Sequence, residues 1–247
     1  MRNLTVEGTY NVRDLGGYPT ADGHSTRWKV FVRAGNMDKV SPEGCQYLND
    51  YGLKTVIDLR DEWEVEKYPN LLAQAADVQY VNLPLIGNRL SQDEGWKSAT
   101  EKHQHLHEHY TYYLDHCQPQ IAAIFAAMVE RSSATLFHCV MGKDRTGVIA
   151  GLLLGAVGVP TGVIADDYAQ TTQHYAPLLP EWRSRSAERG ENLAVFDRDV
   201  ASAPETMLDT LAHLTTRYGG VTSYLHTCGV NEHQLMELRS HFVVHKG

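Results

Sequence analysis

A short polar segment between an apolar strand and an apolar helix is the feature that most limits how this chain can fold. The run Ala134–His138 predicts a buried strand, and the apolar stretch 147–159 predicts a helix. The residues 139–146 must therefore cross from the carboxyl end of a strand to the amino end of a helix. Backbone N–H groups at a helix start have no partner inside the helix and attract anions. The junction is therefore a predicted anion-binding loop.

Further strand patterns lie on the amino-terminal side of this junction. Residues 54–60 and 78–83 are rich in β-branched and aromatic side chains, which predicts two buried strands. A shorter hairpin strand is predicted from the apolar alternation of Trp28, Val30 and Val32. Because strands alternate with helical patterns, we expect an α/β fold with a mixed, mainly parallel central sheet flanked by helices.

The helical patterns complete this picture. A helix is predicted between Ser41, its N-cap, and Gly52, the residue after its end, and others are predicted over 101–116 and 119–131. The polar segment 85–100 is a candidate lid loop. Beyond residue 160 we predict helices throughout, with breaks at Pro177, Pro180, Pro204, Gly219-Gly220 and Gly229. Since there is no repeat or linker, we expect one domain, 1–247, with a helical C-terminal third.

Composition excludes several classes of protein. The 22 Lys and Arg against 30 Asp and Glu give a net charge of −8, which disfavours a general nucleic-acid binder. The longest apolar tract, 148–159, is shorter than the roughly 20 residues that span a bilayer, so stable membrane insertion is not expected. The four scattered cysteines form no CxxC pair, which indicates reduced thiols. We expect a cytoplasmic protein, with secretion by a signal-independent route left open.

The loop carries the residues needed for attack on a phosphate ester. Cys139 follows the strand and Arg145 begins the helix, so a thiol and a guanidinium meet at one anion site. The helix terminus and the arginine favour a thiolate. Arg145 can grip two phosphate oxygens, and Gly142 lets the turn close. The sulfur can then attack phosphorus to give a phosphocysteine that water hydrolyses, with Thr146 hydrogen-bonding the departing sulfur.

These residues resemble the signature of a known family. The segment is His138-Cys139-Val140-Met141-Gly142-Lys143-Asp144-Arg145-Thr146-Gly147. It resembles the HCx5R loop of the cysteine-dependent protein tyrosine phosphatase superfamily, in its bacterial tyrosine, dual-specificity and lipid phosphatase branch. Segments 11–18, 56–60 and 218–225 are similar to other motifs of that branch and follow in the expected order.

The resemblance implies a tyrosine-phosphatase-like fold and assigns roles within the loop. Cys139 is the nucleophile, Arg145 the phosphate clamp and Asp144 a catalytic residue that can act as the general acid. The substrate-binding residues are Val140, Met141, Gly142, Lys143 and Thr146, and Lys143 is associated with phosphoinositide headgroups. The implied reaction is hydrolysis of phosphotyrosine, and also of phosphoserine, phosphothreonine or phosphoinositides. It needs no cofactor, and inorganic phosphate or vanadate would occupy the same site.

The sequence does not identify the general acid, because the chain lacks the Trp-Pro-Asp sequence that often supplies it in relatives. Asp144 ranks first for its proximity and Asp58 second, ahead of Asp93 and Asp115. Asp58 and Asp14 are each a possible general acid or a support: Asp58 would form a structural ion pair with Arg60, and Asp14 would hold the N-terminal loop in place. Proton donation of this kind typically contributes 10²–10⁴-fold to a rate.

Two other functions use the same loop. One is a catalytically silent module that recognises phosphorylated partners, and the other is sulfur transfer through a persulfide on Cys139. The intact set of thiol, guanidinium and hydroxyl argues against the silent module, and sulfur transfer gives no reason for the run Arg145-Thr146-Gly147. Two histidine pairs, His103 with His107 and His105 with His109, have helical spacing, but polar neighbours surround them and no third ligand is evident. We therefore expect no metal.

Overall fold

A five-stranded mixed sheet forms the centre of the protein in the computed structural model, which describes residues 2–75, 77–87, 105–130 and 134–244. Its strand order is β1-β3-β6-β4-β5, in which only the β1 and β3 pair is antiparallel. The strands are β1 Arg13–Asp14, β3 Phe31–Ala34, β4 Leu53–Asp58, β5 Gln79–Asn82 and β6 Ala134–His138. The predicted mixed, mainly parallel sheet is confirmed.

Helices flank the sheet in the described part of the chain. Before β6 these are α1 Pro42–Tyr51, α2 Glu62–Lys67, α3 Leu106–His116 and α4 Gln118–Val129, with a 3₁₀ turn at Leu71–Gln74. After β6 they are α5 Asp144–Ala156, α6 Thr161–Tyr175, α7 Leu179–Glu188, α8 Leu193–Val200, α9 Pro204–Tyr218, α10 Val221–Cys228 and α11 Glu232–Phe242. No helix among the described residues combines the length and the apolar character that crossing a membrane requires.

Because β6 lies between β3 and β4, the loop that follows it begins at the middle of the sheet edge. His138, the last residue of β6, is in register with Ala34 of β3 on one side and with Asp58 of β4 on the other. The carboxyl ends of three parallel strands therefore meet where the loop begins. Ligands bind at this edge in open α/β sheets.

The helix α5 holds the loop against the core. It begins at Asp144, three residues before the predicted start at 147, because the polar residues at the end of the loop already form its first turn. Most of its residues from Thr146 onward are fully buried. The two faces of the sheet bury separate apolar clusters, with Phe137 and Ile57 in one and Leu136 and Val56 in the other.

Local signals located the early elements well, with one exception. Ser41 accepts a hydrogen bond from the backbone N–H of Gly44, and Gly52 ends α1 with a left-handed φ of 105°, as predicted. The predicted hairpin strand is present as β3, antiparallel to β1, but it begins only at Phe31 because Lys29 has a φ of 62°. A residue with that φ cannot continue a strand.

The prediction of helices to the end of the chain was wrong. Residues Val243–Val244 form a strand, β7, that pairs antiparallel with Ser25–Thr26, β2, in a separate two-stranded sheet. Both residues are β-branched, and their partner lies near the other end of the chain, so no local pattern reveals the pairing. Pro180 is not a break either, since it lies in the first turn of α7. Of the candidate lid, residues 88–100 lie outside the described residues.

Candidate active site

Cys139 lies directly at the carboxyl end of β6, and residues 139–143 lead from it into α5. Its side chain is nearly buried, with 2% of the residue exposed. Lys143 is the N-cap residue of α5, and Asp144 and Arg145 form its first turn. The structure therefore brings the predicted nucleophile, the predicted clamp and a helix amino terminus together in one short loop.

The carbonyl groups of this loop are bound by groups outside it. The side chain of Asn11 donates to the Met141 and Gly142 carbonyls at 2.9 and 3.2 Å. Three other donors complete the set, which are Asn36 N to Val140 O at 2.8 Å, Tyr175 Oη to Met141 O at 2.8 Å and Arg33 Nη2 to Gly142 O at 2.6 Å. These bonds hold the carbonyl oxygens away from the space above Cys139.

The amide groups of the loop are arranged in the opposite way. Within the described parts of the chain, the N–H groups of residues 140 to 143 donate to no acceptor. Consecutive free amides at a helix amino terminus form an anion-binding concavity. Because the carbonyls are bound outside and the amides are free, the loop is pre-organised to accept the oxygens of a phosphate.

Gly142 is required by both conformation and space. Its φ is 64°, and a Cβ built on it would lie 2.3 Å from the carbonyl oxygen of Ala34. A side chain would therefore push the loop off the end of β3. This close approach brings the Gly142 carbonyl within hydrogen-bond distance of Arg33, which lies in β3.

A buried ionic cluster lies beneath the loop. Arg13 and Arg33 both pair with the Asp167 carboxylate, at 3.4 and 2.5 Å, and all three side chains are at most 1% exposed. Tyr18 donates a further hydrogen bond to Asp167 at 2.6 Å. Two guanidinium groups share one carboxylate, so the cluster adds positive charge under the anion site. It also fixes Arg33 while that side chain holds Gly142.

The same cluster shifts the pKa values of its members. Burial opposes ionisation of Asp167, but the charges of Arg13 and Arg33 outweigh it and hold the pKa of the carboxyl well below its usual range. Burial lowers the pKa of Arg13 to about 10, although Asp167 partly opposes this. Asp167 and Arg13 are therefore both ionised throughout the physiological pH range.

The guanidinium of Arg145 is held by Glu64 of α2. Nη1 and Nη2 donate to the two carboxylate oxygens at 2.5 and 2.9 Å, which is a bidentate pair. Burial lowers the pKa of Arg145, but Glu64 and nearby Cys139 overcome this and raise it above its ordinary value. Glu64 also accepts from the backbone N–H of Asp61, so the pair is tied to the start of α2.

Asp61 is an acidic side chain next to this pair that sequence reasoning did not select. It is the N-cap residue of α2 and is nearly buried, and its Oδ1 accepts from the Gly87 N–H at 2.9 Å. Burial raises the pKa of Asp61, while Arg145 partly opposes this. A buried carboxyl with a raised pKa beside the clamp has the properties of a proton donor.

Asp144 projects from the first turn of α5 and is contacted by a tyrosine pair. Tyr110 of α3 donates to Asp144 Oδ1 at 2.6 Å and lies 2.8 Å from the Tyr168 hydroxyl. About a third of the Asp144 side chain is exposed, and Oδ2 has no donor among the described residues. One carboxylate oxygen is therefore oriented and the other is free.

The ammonium group of Lys143 is turned toward the end of α8. It donates to the backbone carbonyls of Asp199 and Ala201, the latter at 3.3 Å, and lies 3.4 Å from Asp144 Oδ1. Its side chain is 1% exposed. In this arrangement Lys143 joins the loop to the segment after α8.

Asp58 and Asp14 are both fully buried, and both oxygens of each carboxylate accept hydrogen bonds. Asp58 binds Arg60 with both oxygens, accepts from the Tyr80 hydroxyl at 2.9 Å and lies 3.4 Å from His138 Nε2. Asp14 accepts from Gly16 N, Lys29 N and Tyr51 Oη. Both arrangements are those of structural supports. Asp115 binds His213 and Tyr218 between helices, and Asp93 lies outside the described residues.

Thr146 is fully buried, and its hydroxyl has no hydrogen-bond partner among the described residues. A buried hydroxyl without a partner is uncommon, and this one lies in the first turn of α5, directly after the loop that begins at Cys139. Elsewhere, the described residues contain no group of three or more His, Cys, Asp or Glu side chains placed to hold a metal ion.

Comparison with known proteins identifies the family of this chain. A family model described as tyrosine phosphatase family matches residues 4–244. The chain belongs to the tyrosine phosphatase family. A tyrosine-protein phosphatase of Nostoc commune is 33% identical, over 85% of this chain and 73% of that protein. The triple specificity protein phosphatase PtpB of Mycobacterium tuberculosis is 24% identical, over 95% of this chain and 96% of that protein.

A solved structure of Pseudomonas aeruginosa TpbA in complex with pTyr is also similar to this tyrosine phosphatase family member. The TM-score is 0.37 with 13% identity, and the match covers 66% of this chain and 78% of the other.

Several residues that hold the loop of this family member were not found from sequence. Arg33, Asp167, Tyr175 and Glu64 lie far from the loop in the chain and reach it only through the fold. Asn11 lies in the amino-terminal segment that resembled the family, which is the one signal that pointed to it. Arg33 offered a weaker signal, because an arginine within an apolar strand pattern indicates a buried ion pair.

Proposed function

We propose that this protein hydrolyses phosphotyrosine in protein substrates through a phosphocysteine intermediate on Cys139. One observation carries the proposal: the loop carbonyls are bound outward while the amides of residues 140 to 143 are free above Cys139. This arrangement binds three phosphate oxygens without competition from carbonyl oxygens. The sequence similarity to a tyrosine-protein phosphatase supports the choice of substrate.

In the first step, the Cys139 sulfur attacks phosphorus and the P–O bond to the substrate oxygen breaks. The loop amides and Arg145 stabilise the negative charge on the three equatorial oxygens as the bonds exchange. Glu64 holds the guanidinium in place, so little reorientation is needed when the ester arrives. The departing oxygen leaves with a proton from a carboxylic acid.

Asp144 is the proposed donor of that proton, because it begins α5 directly after the loop and has one free oxygen. Asp61 is a second candidate, because burial favours its protonated form beside Arg145. Asp58 and Asp14 are proposed as supports rather than acids, since their oxygens are occupied. Comparing Asp144→Asn with Asp61→Asn on an aryl phosphate and an alkyl phosphate separates the candidates. The true donor will show the greater loss on the alkyl ester, whose leaving group needs the proton more.

In the second step, water attacks the phosphocysteine and the S–P bond breaks, which releases phosphate and the Cys139 thiolate. The same carboxyl group, now ionised, accepts the proton of the water. The free hydroxyl of Thr146 is proposed to donate a hydrogen bond to the departing sulfur. Inorganic phosphate and vanadate are proposed to bind in the same cradle.

The substrate range is a finer part of the proposal. Phosphoserine, phosphothreonine and phosphoinositides share the phosphate monoester that the loop binds, and a relative in this family is named a triple specificity phosphatase. Headgroup binding by Lys143 requires its ammonium to leave the carbonyls of Asp199 and Ala201. Phosphotyrosine requires no such change, so we rank it first.

We also propose that residues 1–247 act as one phosphatase domain in the cytoplasm. Both apolar clusters pack on the same central sheet, which supports a single folding unit. The four free cysteines, Cys45, Cys117, Cys139 and Cys228, are consistent with a reducing compartment.

The decisive experiment compares Cys139→Ser with Cys117→Ser on p-nitrophenyl phosphate and on a phosphotyrosine peptide. Cys117 is a buried core thiol and serves as the matched control. Wild type and Cys117→Ser should release phosphate in many turnovers, while Cys139→Ser should lose activity by more than about 10³-fold. Phosphate binding without turnover by wild type would instead support the silent binding module, and sulfur transfer from thiosulfate would support the persulfide alternative.

A further inference from the structure

A groove opens beside the phosphate loop and shares residues with it. Its volume is about 860 Å³, and it is lined by Val140 and Met141 of the loop. Glu64, which holds Arg145, also lines it. Val140 is 40% exposed although it lies next to nearly buried Cys139. The groove therefore continues directly from the place where a phosphate would sit.

Aromatic side chains form much of the lining. Tyr10, Tyr175 and Trp182 make a continuous row, with ring centroids 5.8 and 5.3 Å apart. Trp63 and Tyr68 line the same groove from the two ends of α2, and Trp63 is 54% exposed. Large aromatic rings exposed around one cavity are typical of binding sites, because they supply contact area at low cost in side-chain entropy.

The lining of the groove carries three acidic and three basic side chains, but its unpaired charges are two lysines and one aspartate. Glu64 is paired with Arg145, and Glu181 is paired with Arg185 at 2.5 Å. Among the described residues, Lys39 and Lys67 have no acidic partner within ion-pair distance, and Asp38 is the one lining acid without a basic partner. An occupant with apolar side chains and an acidic residue matches this surface.

We propose that this groove binds the polypeptide that flanks phosphotyrosine in a protein substrate, by accepting an apolar or aromatic side chain beside the phosphotyrosine. This inference rests on the proposed function and deepens it. A volume of this size fits a few side chains. A polyphosphorylated lipid headgroup would need several clustered cations, whereas Lys39 and Lys67 are the two unpaired cations among the described lining residues. The groove therefore selects a peptide over a headgroup.

The test uses two phosphotyrosine peptides with the same acidic residues, one with Leu and Phe on both sides of the phosphotyrosine and one with Gly there. Wild type should show kcat/KM about tenfold higher for the apolar peptide, mainly through KM, as expected for burial of about one apolar side chain. In Trp63→Ala and Trp182→Ala the preference should fall to about twofold or less. Tyr47→Ala, an exposed aromatic outside the groove, is the control and should keep the preference.

Turnover of p-nitrophenyl phosphate by wild type reports on the proposed function independently, since its absence would refute that function whatever the peptides show. With that turnover present, equal kcat/KM values of the wild-type protein for the two peptides would overturn the groove proposal. So would an unchanged preference in both tryptophan variants. A loss of turnover on phosphoinositide vesicles in those variants, with peptide preference intact, would assign the groove to a lipid surface and also overturn it.

Discussion

The buried cluster beneath the loop offers the most exacting test of the structure, through Asp167→Asn. This change removes the one carboxylate shared by Arg13 and Arg33, whose side chains are at most 1% exposed. Breaking a single buried ion pair by removing one partner costs about 3–5 kcal/mol. Because two guanidinium groups lose their counter-charge at once, we expect the loss in unfolding free energy to lie near the upper end of that range.

Urea denaturation at pH 7 measures this loss. With a slope of about 3 kcal/mol/M, the midpoint should fall by on the order of 1 M or more. Asp166→Asn is the matched control, because Asp166 is the exposed neighbour of Asp167 on the same helix. Its midpoint should stay within about 0.2 M of wild type, as for an ordinary surface change. An equal, small shift in both variants would refute the counter-charge role of Asp167.

The pH dependence provides a second check on the same variant. The pKa of Asp167 is lowered in the folded protein, so its contribution is fully present above the unfolded value of about 3.9. That contribution is lost as the pH falls through the lower, folded pKa. The difference in stability between wild type and Asp167→Asn should therefore be constant from about pH 5 to pH 8 and shrink in stronger acid. A difference that grows in acid would contradict the sign of the shift.

Three further substitutions and one labelling experiment test the site. Glu64→Gln should lower kcat/KM on p-nitrophenyl phosphate about tenfold or more by freeing the clamp, whereas Glu66→Gln on the same helix should not. Tyr110→Phe should lower kcat more on an alkyl phosphate than on an aryl phosphate if Asp144 is the acid, because the lost hydrogen bond leaves the carboxyl group unoriented; equal effects on the two esters would count against that role. Gly142→Ala should weaken vanadate inhibition at least tenfold, as its Cβ would meet Ala34, while Gly158→Ala, also at positive φ but in open space, should not. Iodoacetamide at pH 7 should modify Cys139 before Cys117, since burial raises the pKa of Cys117 to about 12; peptide mass spectrometry would reveal the reverse order.

The amino-acid sequence predicted the parts of this protein that depend on neighbours in the chain. The strand β6, the loop and α5 follow one another directly, so their order and the placing of Cys139 and Arg145 could be predicted from the pattern alone. The caps at Ser41 and Gly52 are local in the same sense, and α1 begins and ends as they indicate.

The choice among acidic side chains could not be made in this way. Asp58 ranked second as the general acid from its position at a strand end, but it is fully engaged by Arg60 and Tyr80. Asp61, three residues further on, was not considered and lies beside the clamp. Proximity to the loop depends on how α2 packs, which spacing along the chain does not reveal.

By itself, then, the sequence determined the α/β class, the loop and the chemistry of its thiol and guanidinium, because these arise from contacts within a few residues. The tertiary structure alone decided what holds the loop open, through Arg33, Asp167 and Glu64, and it paired β7 with β2 across the length of the chain. The physical reason is range: caps and strand patterns act through adjacent backbone, whereas a buried ion pair forms only after distant segments have lost contact with water.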